Sequence, residues 1–237
     1  MSWNQMQAAH CMPNCWCEAV RWESLIRQPA NVWSNFSMFA VAAVVLWLSR
    51  RKSDQNVLTA NPAYSRLYAV GLPLTGLGSM FFHASLTHIG QWVDLIGMYF
   101  LATVLYLYNY SRLRPLRTRT LLLLYVASVT FFTLLMYFVP QANDILFGVL
   151  ILVFVFFVIF TQRKLKTKVR GKYIILAVVS YYSGSTFWIL DKELKLCAPD
   201  SLLQGHALWH ILAALATLFV YLFFRSESAM SARATKS

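Results

Sequence analysis

Seven apolar stretches, each long enough to cross a lipid bilayer, decide what this chain can fold into. A helix needs about 20 residues to cross the hydrocarbon core. The stretches are helices and not strands, because strands of a membrane barrel alternate apolar and polar residues. We therefore predict an all-α membrane protein with seven transmembrane helices, which cover residues 30–49, 65–84, 89–109, 120–139, 144–161, 173–190 and 205–224.

The composition excludes other classes of protein. Of the 237 residues, 58% are hydrophobic and only 13% are charged, whereas a soluble domain has about 25% charged residues. The net charge of +12 does not indicate nucleic-acid binding, since that function needs basic residues clustered on one face. Here the basic residues lie between the apolar stretches, as in the connections of an integral multi-pass membrane protein.

The positions of Lys and Arg predict the orientation of the chain. Of the 21 Lys and Arg residues, only Arg21, Arg27, Lys192 and Lys195 lie on the same side of the predicted helices as the N-terminus. Cytoplasmic connections carry the excess of Lys and Arg. We expect a polar N-terminal segment, residues 1–29, on the outer (lumenal or periplasmic) side, a transmembrane domain at 30–224 and a cytoplasmic tail at 225–237. Both a bacterial inner membrane and an ER or Golgi membrane agree with this.

All four cysteines, Cys11, Cys15, Cys17 and Cys197, lie on the predicted outer side. This is the oxidising side, where disulfides persist. Free thiols are the alternative. A metal site made by the three N-terminal cysteines is less favoured, because their spacing is not that of a CxxC pair.

Ionisable residues occur inside the predicted spans, where they are costly and therefore indicate a functional site. Asp94 lies one turn into the third helix. Four of the five histidines lie near the outer ends of the second, third and seventh helices, namely His83, His88, His206 and His210. We expect His88 to belong to a loop, and the span-end residues Asp144 and Asp191 to be solvated or to snorkel to the membrane surface.

The spacing of these residues predicts a metal site. His206 and His210 are four residues apart and share one helical face. Such a pair can offer two imidazoles to one metal ion, and His83 can supply a third. Three protein ligands with one open position is the catalytic zinc arrangement, whereas structural zinc sites use four protein ligands.

Two further residues fit a hydrolytic site. Asp94 follows His83 by 11 residues across a short turn, so that it can fold back and accept a proton from water. Ser79 lies one turn deeper on the face of His83 and can donate to an oxyanion. A lone His, Asp or Ser is commonly a contact between membrane helices, but their combination at one depth favours a site.

The residues around this site resemble the alkaline ceramidase family, within a superfamily that includes adiponectin-receptor-like proteins. The resemblance is carried by residues 76–86 (GLGSMFFHASL), 91–98 (QWVDLIGM), 205–210 (GHALWH), 15–18 (CWCE) and 31–35 (NVWSN). It implies a seven-helix zinc amidase that cleaves ceramide to a sphingoid base and a fatty acid. It also implies zinc ligands at His83, His206 and His210.

The resemblance assigns further roles. Asp94 is expected to hold and activate the attacking water and Ser79 to stabilise the oxyanion. A disulfide is expected between Cys17 and Cys197, because the cysteine after Trp16 resembles the bridged cysteine of the family.

The family pattern also has an N-terminal calcium site, to which Trp16, Glu18 and Asn31 are the possible contributors here. Three positions depart from that pattern, where Cys15, Val20 and Gln28 replace expected oxygen donors. Since calcium takes six to eight oxygen ligands, we expect calcium binding to be weak or lost.

The sequence thus favours a zinc-dependent hydrolase of a ceramide-like lipid that enters from the bilayer. Two alternatives within the superfamily are a receptor-like protein with structural zinc and an ester-cleaving lipid hydrolase. A proton-coupled transporter is the third. It is less favoured because the polar groups cluster at one end and do not trace a path across the membrane.

Overall fold

The computed structural model describes residues 3–12, 15–51, 56–139 and 142–228, with the backbone alone at residues 143 and 144. A short 3-10 turn at Trp3–Gln5 comes first. The α-helices that follow are α1 (Pro29–Ser34), α2 (Phe36–Ser49), α3 (Val57–Ala60), α4 (Pro62–Ser85), α5 (His88–Leu113), α6 (Thr118–Phe138), α7 (Asn143–Leu165), α8 (Gly171–Lys192) and α9 (Gly205–Arg225).

Seven candidate membrane spans lie within the described residues, as predicted. The first span, Pro29–Ser49, combines α1 and α2, which are separated only at Asn35. Helices α5 and α7 end four residues beyond the predicted stretches, at Leu113 and Leu165. The hydropathy falls where the first polar and charged residues appear, but the helical backbone hydrogen bonds continue past that point.

Helices α2, α4, α5 and α9 form the centre of the bundle. The most extensive contacts are those of α4 with α5 and of α8 with α9, and α2 packs against both α4 and α9. Helices α6 and α7 pack on α5. The outer helices present large apolar side chains that are more than half exposed, among them Leu123, Phe156 and Val179. Such a surface suits contact with lipid. Polar residues lie instead on the interior faces of α4, α5 and α9.

Two glycines bring α4 and α5 into direct backbone contact. A Cβ added at Gly78 would come within 2.8 Å of the carbonyl oxygen of Val93, and one at Gly97 within 2.8 Å of the Cα of Thr75. Thr75 Oγ1 also donates to the carbonyl of Gly97 at 2.6 Å. Small residues permit close approach of membrane helices. The approach at Gly78 sets Asp94, the neighbour of Val93, against the helix that carries Ser79.

One end of the bundle, which we call the Arg112 end, is closed by a buried ion pair. The guanidinium of Arg112 donates to both carboxylate oxygens of Glu227, at 3.0 Å from Nε and 2.6 Å from Nη2. Thr167 Oγ1 donates to the same carboxylate at 2.6 Å, and Ser228 exchanges two backbone hydrogen bonds with Lys168. The residues directly after α9 are therefore packed onto the bundle. The rest of the predicted tail lies outside the described residues.

We expect Glu227→Gln to destabilise the protein. Removing one partner leaves the Arg112 charge buried without its counter-ion, which costs about 3–5 kcal/mol. Thermal unfolding in detergent measures the loss. Glu193→Gln is the matched control, because Glu193 is exposed. Equal unfolding midpoints for the two variants would show that the ion pair adds nothing to stability.

Candidate metal centre

Three buried imidazoles meet at the other end of the bundle, which we call the histidine end. His83 comes from the last turn of α4, and His206 and His210 from the first two turns of α9. One ring nitrogen of each lies within 4.8 Å of the others, and the Nε2 atoms of His83 and His206 are 3.0 Å apart. In the part of the chain that the structure describes, no other three His, Cys, Asp or Glu side chains are grouped in this way.

Gln28 fixes the tautomer of His83. The Oε1 atom of Gln28 is 2.9 Å from His83 Nδ1, and its Nε2 donates to the carbonyl of Glu18 at 3.2 Å, which identifies the oxygen as the atom facing the imidazole. An amide oxygen can only accept a hydrogen bond. We infer that Nδ1 of His83 carries the proton, so that the lone pair of Nε2 points into the cluster.

Ser34 fixes the tautomer of His210 by a similar argument. Its Oγ is 2.8 Å from His210 Nδ1 and 2.9 Å from the carbonyl oxygen of Asn31. The carbonyl can only accept, so the single hydroxyl proton goes there and Ser34 accepts from Nδ1–H. Asn35 Nδ2 also lies 3.2 Å from this nitrogen, but its two protons go to the carbonyl of Asn31 and to Ser79 Oγ. The lone pair of His210 Nε2 then faces the cluster, where Ser79 Oγ is 3.3 Å away.

These protonation states fit a metal ion. Nitrogen lone pairs of His83 and His210 are directed into the cluster, and a ring nitrogen of His206 meets them. Imidazole ligands suit Zn, Cu, Fe and Ni, and hydrogen bonds to the other ring nitrogen are the usual way to orient them. Three protein ligands leave a position open for water or substrate.

The structure brings the two predicted catalytic residues beside the three histidines. Ser79 Oγ is 3.3 Å from His210 Nε2 and accepts from Asn35 Nδ2 at 3.1 Å. The half-buried side chain of Asp94 lies near the Ser79 hydroxyl, because α5 approaches α4 closely at Gly78. Because Asn35 already donates to Ser79, the hydroxyl proton of Ser79 is available for Asp94 or for a ligand.

Glu18 caps the N-terminus of α1. Its two carboxylate oxygens accept from the backbone N–H groups of Ala30 and Asn31, at 2.7 and 2.9 Å. Burial raises the pKa of this carboxyl, although the two N–H donors act in the opposite direction. A carboxylate at a helix N-terminus is stabilised by the exposed amide groups and the helix dipole, so Glu18 holds α1 in place.

The other possible calcium residues have different surroundings. Trp16 stacks on the His206 ring at 3.6 Å between centroids. The side-chain amide atoms of Asn31 are buried and find no hydrogen-bond partner among the described residues.

Three residues beside the histidines were not predicted as site residues. They are Gln28 and Ser34, which orient His83 and His210, and Asn35. Their positions within or beside the family-like segment 31–35 are the signal that could have found them.

The four cysteines form two disulfides. Cys17 is bonded to Cys197, with 5.4 Å between their Cα atoms, and Cys11 to Cys15, with 4.7 Å. The pairing of Cys11 with Cys15 was not predicted, and it excludes both the free-thiol and the thiolate-ligand interpretations.

Two expectations about other polar residues are wrong. Asp191 is fully buried and not solvated, because its carboxylate accepts from the backbone N–H groups of Cys17 and His206 instead of water, at 2.9 and 3.0 Å. His88 is not in a loop, since Thr87 caps α5 and makes His88 its first residue. The side chain of Asp144 lies outside the described residues.

Comparisons with known proteins decide the family. The sequence profile of the ceramidase family matches residues 14–236. The chain belongs to the ceramidase family. It is 25% identical to human alkaline ceramidase 1 over 208 residues, which cover 84% of this chain and 76% of the human protein. It is 26% identical over 226 residues to a putative alkaline ceramidase of Dictyostelium discoideum, with 82% and 78% covered. The family match and the seven candidate spans together show that this is a multi-pass membrane protein.

We expect calcium to have little influence on this ceramidase-family protein. The carboxylate of Glu18 is already engaged by two backbone N–H groups, and the side-chain oxygen of Gln28 accepts from His83. Apart from the side-chain oxygen of Asn31, which has no hydrogen-bond partner among the described residues, few side-chain oxygens remain for an ion that takes six to eight. A calcium-selective chelator should leave the unfolding temperature unchanged. A marked fall in unfolding temperature, reversed by added calcium, would contradict this expectation.

Proposed function

We propose that this protein is a zinc-dependent amide hydrolase that cleaves ceramide or a ceramide-like lipid to a sphingoid base and a fatty acid. The observation that carries the proposal is the buried group of His83, His206 and His210 with Ser79 and Asp94 beside it. Membership of the ceramidase family and the names of its relatives support the choice of an amide lipid as substrate.

The three histidines are proposed as the zinc ligands. His83 and His210 bind through Nε2, because their Nδ1 atoms carry protons held by Gln28 and Ser34. Zinc at this position supplies Lewis acidity toward the amide carbonyl and lowers the pKa of a bound water to about 7. The protein supplies the proton transfers and the positions of the reacting groups.

Asp94 is proposed as the general base. Its carboxylate accepts a proton from the attacking water as the water oxygen bonds to the amide carbon. The same proton is then passed to the nitrogen of the leaving amine as the carbon–nitrogen bond breaks. The close approach of α4 and α5 at Gly78 supports this role, because it places Asp94 near Ser79.

Ser79 is proposed as the donor to the carbonyl oxygen. Asn35 donates to the Ser79 hydroxyl, which leaves the serine proton for an acceptor on the other side. A fixed donor aimed at a developing oxyanion lowers the barrier without any rearrangement during the reaction.

The histidine end is proposed to face the lumen or periplasm, with the Arg112 end in the cytoplasm. The excess of Lys and Arg in the connections at the Arg112 end supports this orientation. In this proposal, a lipid substrate reaches the buried site from the bilayer.

The first test of the proposal is the metal. The purified protein should hold about one zinc, following the three-ligand arrangement. Variants His206→Ala and His210→Ala should lose most of it, together with ceramide cleavage measured by mass spectrometry of the products. His88→Ala is the control, because His88 is not in the metal cluster. Full zinc and full activity in both cluster variants would refute the proposed ligands.

The second test separates chemistry from metal binding. Asp94→Asn cannot accept a proton at neutral pH, so turnover should fall by about 10²–10⁴-fold while zinc content stays near normal. Ser79→Ala should also keep zinc and lose up to about 10²–10³-fold. Ceramide cleavage at the parent rate by Asp94→Asn would show that another group is the base.

A further inference from the structure

His206 differs from the other two histidines in how its ring is held. The Nδ1 atoms of His83 and His210 are hydrogen-bonded to Gln28 and Ser34. The Nδ1 atom of His206 is buried and has no hydrogen-bond partner among the described residues. A metal-binding imidazole is normally oriented by such a bond, so something else must set the rotation of this ring.

The indole of Trp16 covers the face of that ring. The centroids of the Trp16 and His206 rings are 3.6 Å apart and their planes differ by 20°. Trp16 comes from the segment before α1, and it also approaches Trp188 of α8, at 6.0 Å between ring centroids. A stacked ring restricts rotation of the imidazole about its Cβ–Cγ bond, which is the freedom that a hydrogen bond to Nδ1 would otherwise remove.

Trp16 is held in register with His206 by one carboxylate. Asp191 accepts from the backbone N–H of Cys17, the residue after Trp16, and from the backbone N–H of His206 itself. The backbones next to the two stacked rings are thus fixed to the same side chain. Gly205 permits this, because a Cβ there would lie 2.9 Å from the Cβ of Asp191.

The two disulfides hold the same short segment. Cys15 is bonded to Cys11, and Cys17 to Cys197 in the connection between α8 and α9. Trp16 is therefore flanked on both sides by a covalent cross-link. Such cross-links reduce the freedom of the segment to move away from the site.

Trp16 keeps its stack although its own polar atom is unsatisfied. The indole Nε1 is buried and finds no hydrogen-bond partner among the described residues, and a buried donor without a partner is unfavourable. The aromatic face of Trp16, and not its N–H, is thus the feature that this position uses.

We propose that Trp16 is the positioning residue of His206, and that it controls how long the metal is retained. The proposal rests on the proposed function, in that the three histidines bind zinc. Trp16 holds the third imidazole in the orientation in which its nitrogen meets those of His83 and His210, and it covers that side of the cluster against water. Asp191 and the two disulfides keep Trp16 in place.

The test is the rate at which zinc leaves the full-length protein in detergent, followed with a colorimetric zinc chelator in excess. Loss of a residue that orients a metal ligand typically costs about 10–100-fold in affinity or activity. Trp16→Ala should therefore release zinc about 10–100-fold faster than the parent. Trp16→Phe, which keeps an aromatic face, should release it at close to the parent rate. Trp47→Ala is the control, because Trp47 is an exposed tryptophan on α2.

Two further measurements separate positioning from folding. Trp16→Leu keeps apolar cover without an aromatic ring, so it should fold with the parent unfolding temperature in the zinc-free state and still release zinc fast. In the cobalt-substituted protein, Trp16→Leu should also change the visible spectrum, because the geometry of one ligand changes. A parent protein that binds no zinc would refute the proposed function. A parent that binds zinc, with Trp16→Leu releasing it at the parent rate, would overturn the role of Trp16 alone.

Discussion

The direction of the nitrogen lone pairs at the histidine end is the constraint on which the site depends. A neutral imidazole has one donor and one acceptor nitrogen, and in a buried site both need partners. Gln28 and Ser34 take the protons of His83 and His210 on the outer side of the cluster. The acceptor nitrogens then face one another in the interior, and this is an arrangement that a bound cation would satisfy.

The segment before the first span is therefore part of the candidate site and not only the stretch that precedes α1. Glu18 caps α1, which positions Ser34 against His210, and the carbonyl of Glu18 accepts from Gln28. The polar groups of this segment form a hydrogen-bonded chain that ends on two of the three histidines. A change at a residue that is hydrogen-bonded to no histidine, such as loss of the Glu18 carboxylate, would reach the cluster through this chain.

The sequence predicts those parts of the structure that depend on local periodicity. Long apolar runs give the seven spans, and the spacing of His206 and His210 places them on one face of α9. The partners of the histidines have no such signal, since Gln28 lies outside any helix and meets His83 only after the chain has folded. The burial of Asp191 was missed because it depends on hydrogen bonds from the backbone N–H groups of Cys17 and His206, which the sequence does not reveal. The pairing of Cys11 with Cys15 was missed because connectivity does not follow from cysteine positions alone.

The single proton of Ser79 links the two catalytic roles in the proposed reaction. Since Asn35 donates to Ser79, the serine has one proton to give, and an ionised Asp94 carboxylate nearby would attract it. When Asp94 accepts a proton from the attacking water, it competes less strongly for the hydroxyl of Ser79, because a neutral carboxyl is a weaker acceptor than a carboxylate. The serine proton then becomes available at the moment when negative charge develops on the carbonyl oxygen. In the proposed reaction, the nearness of Asp94 to Ser79 thus makes the donor to the oxyanion more available once the base has acted.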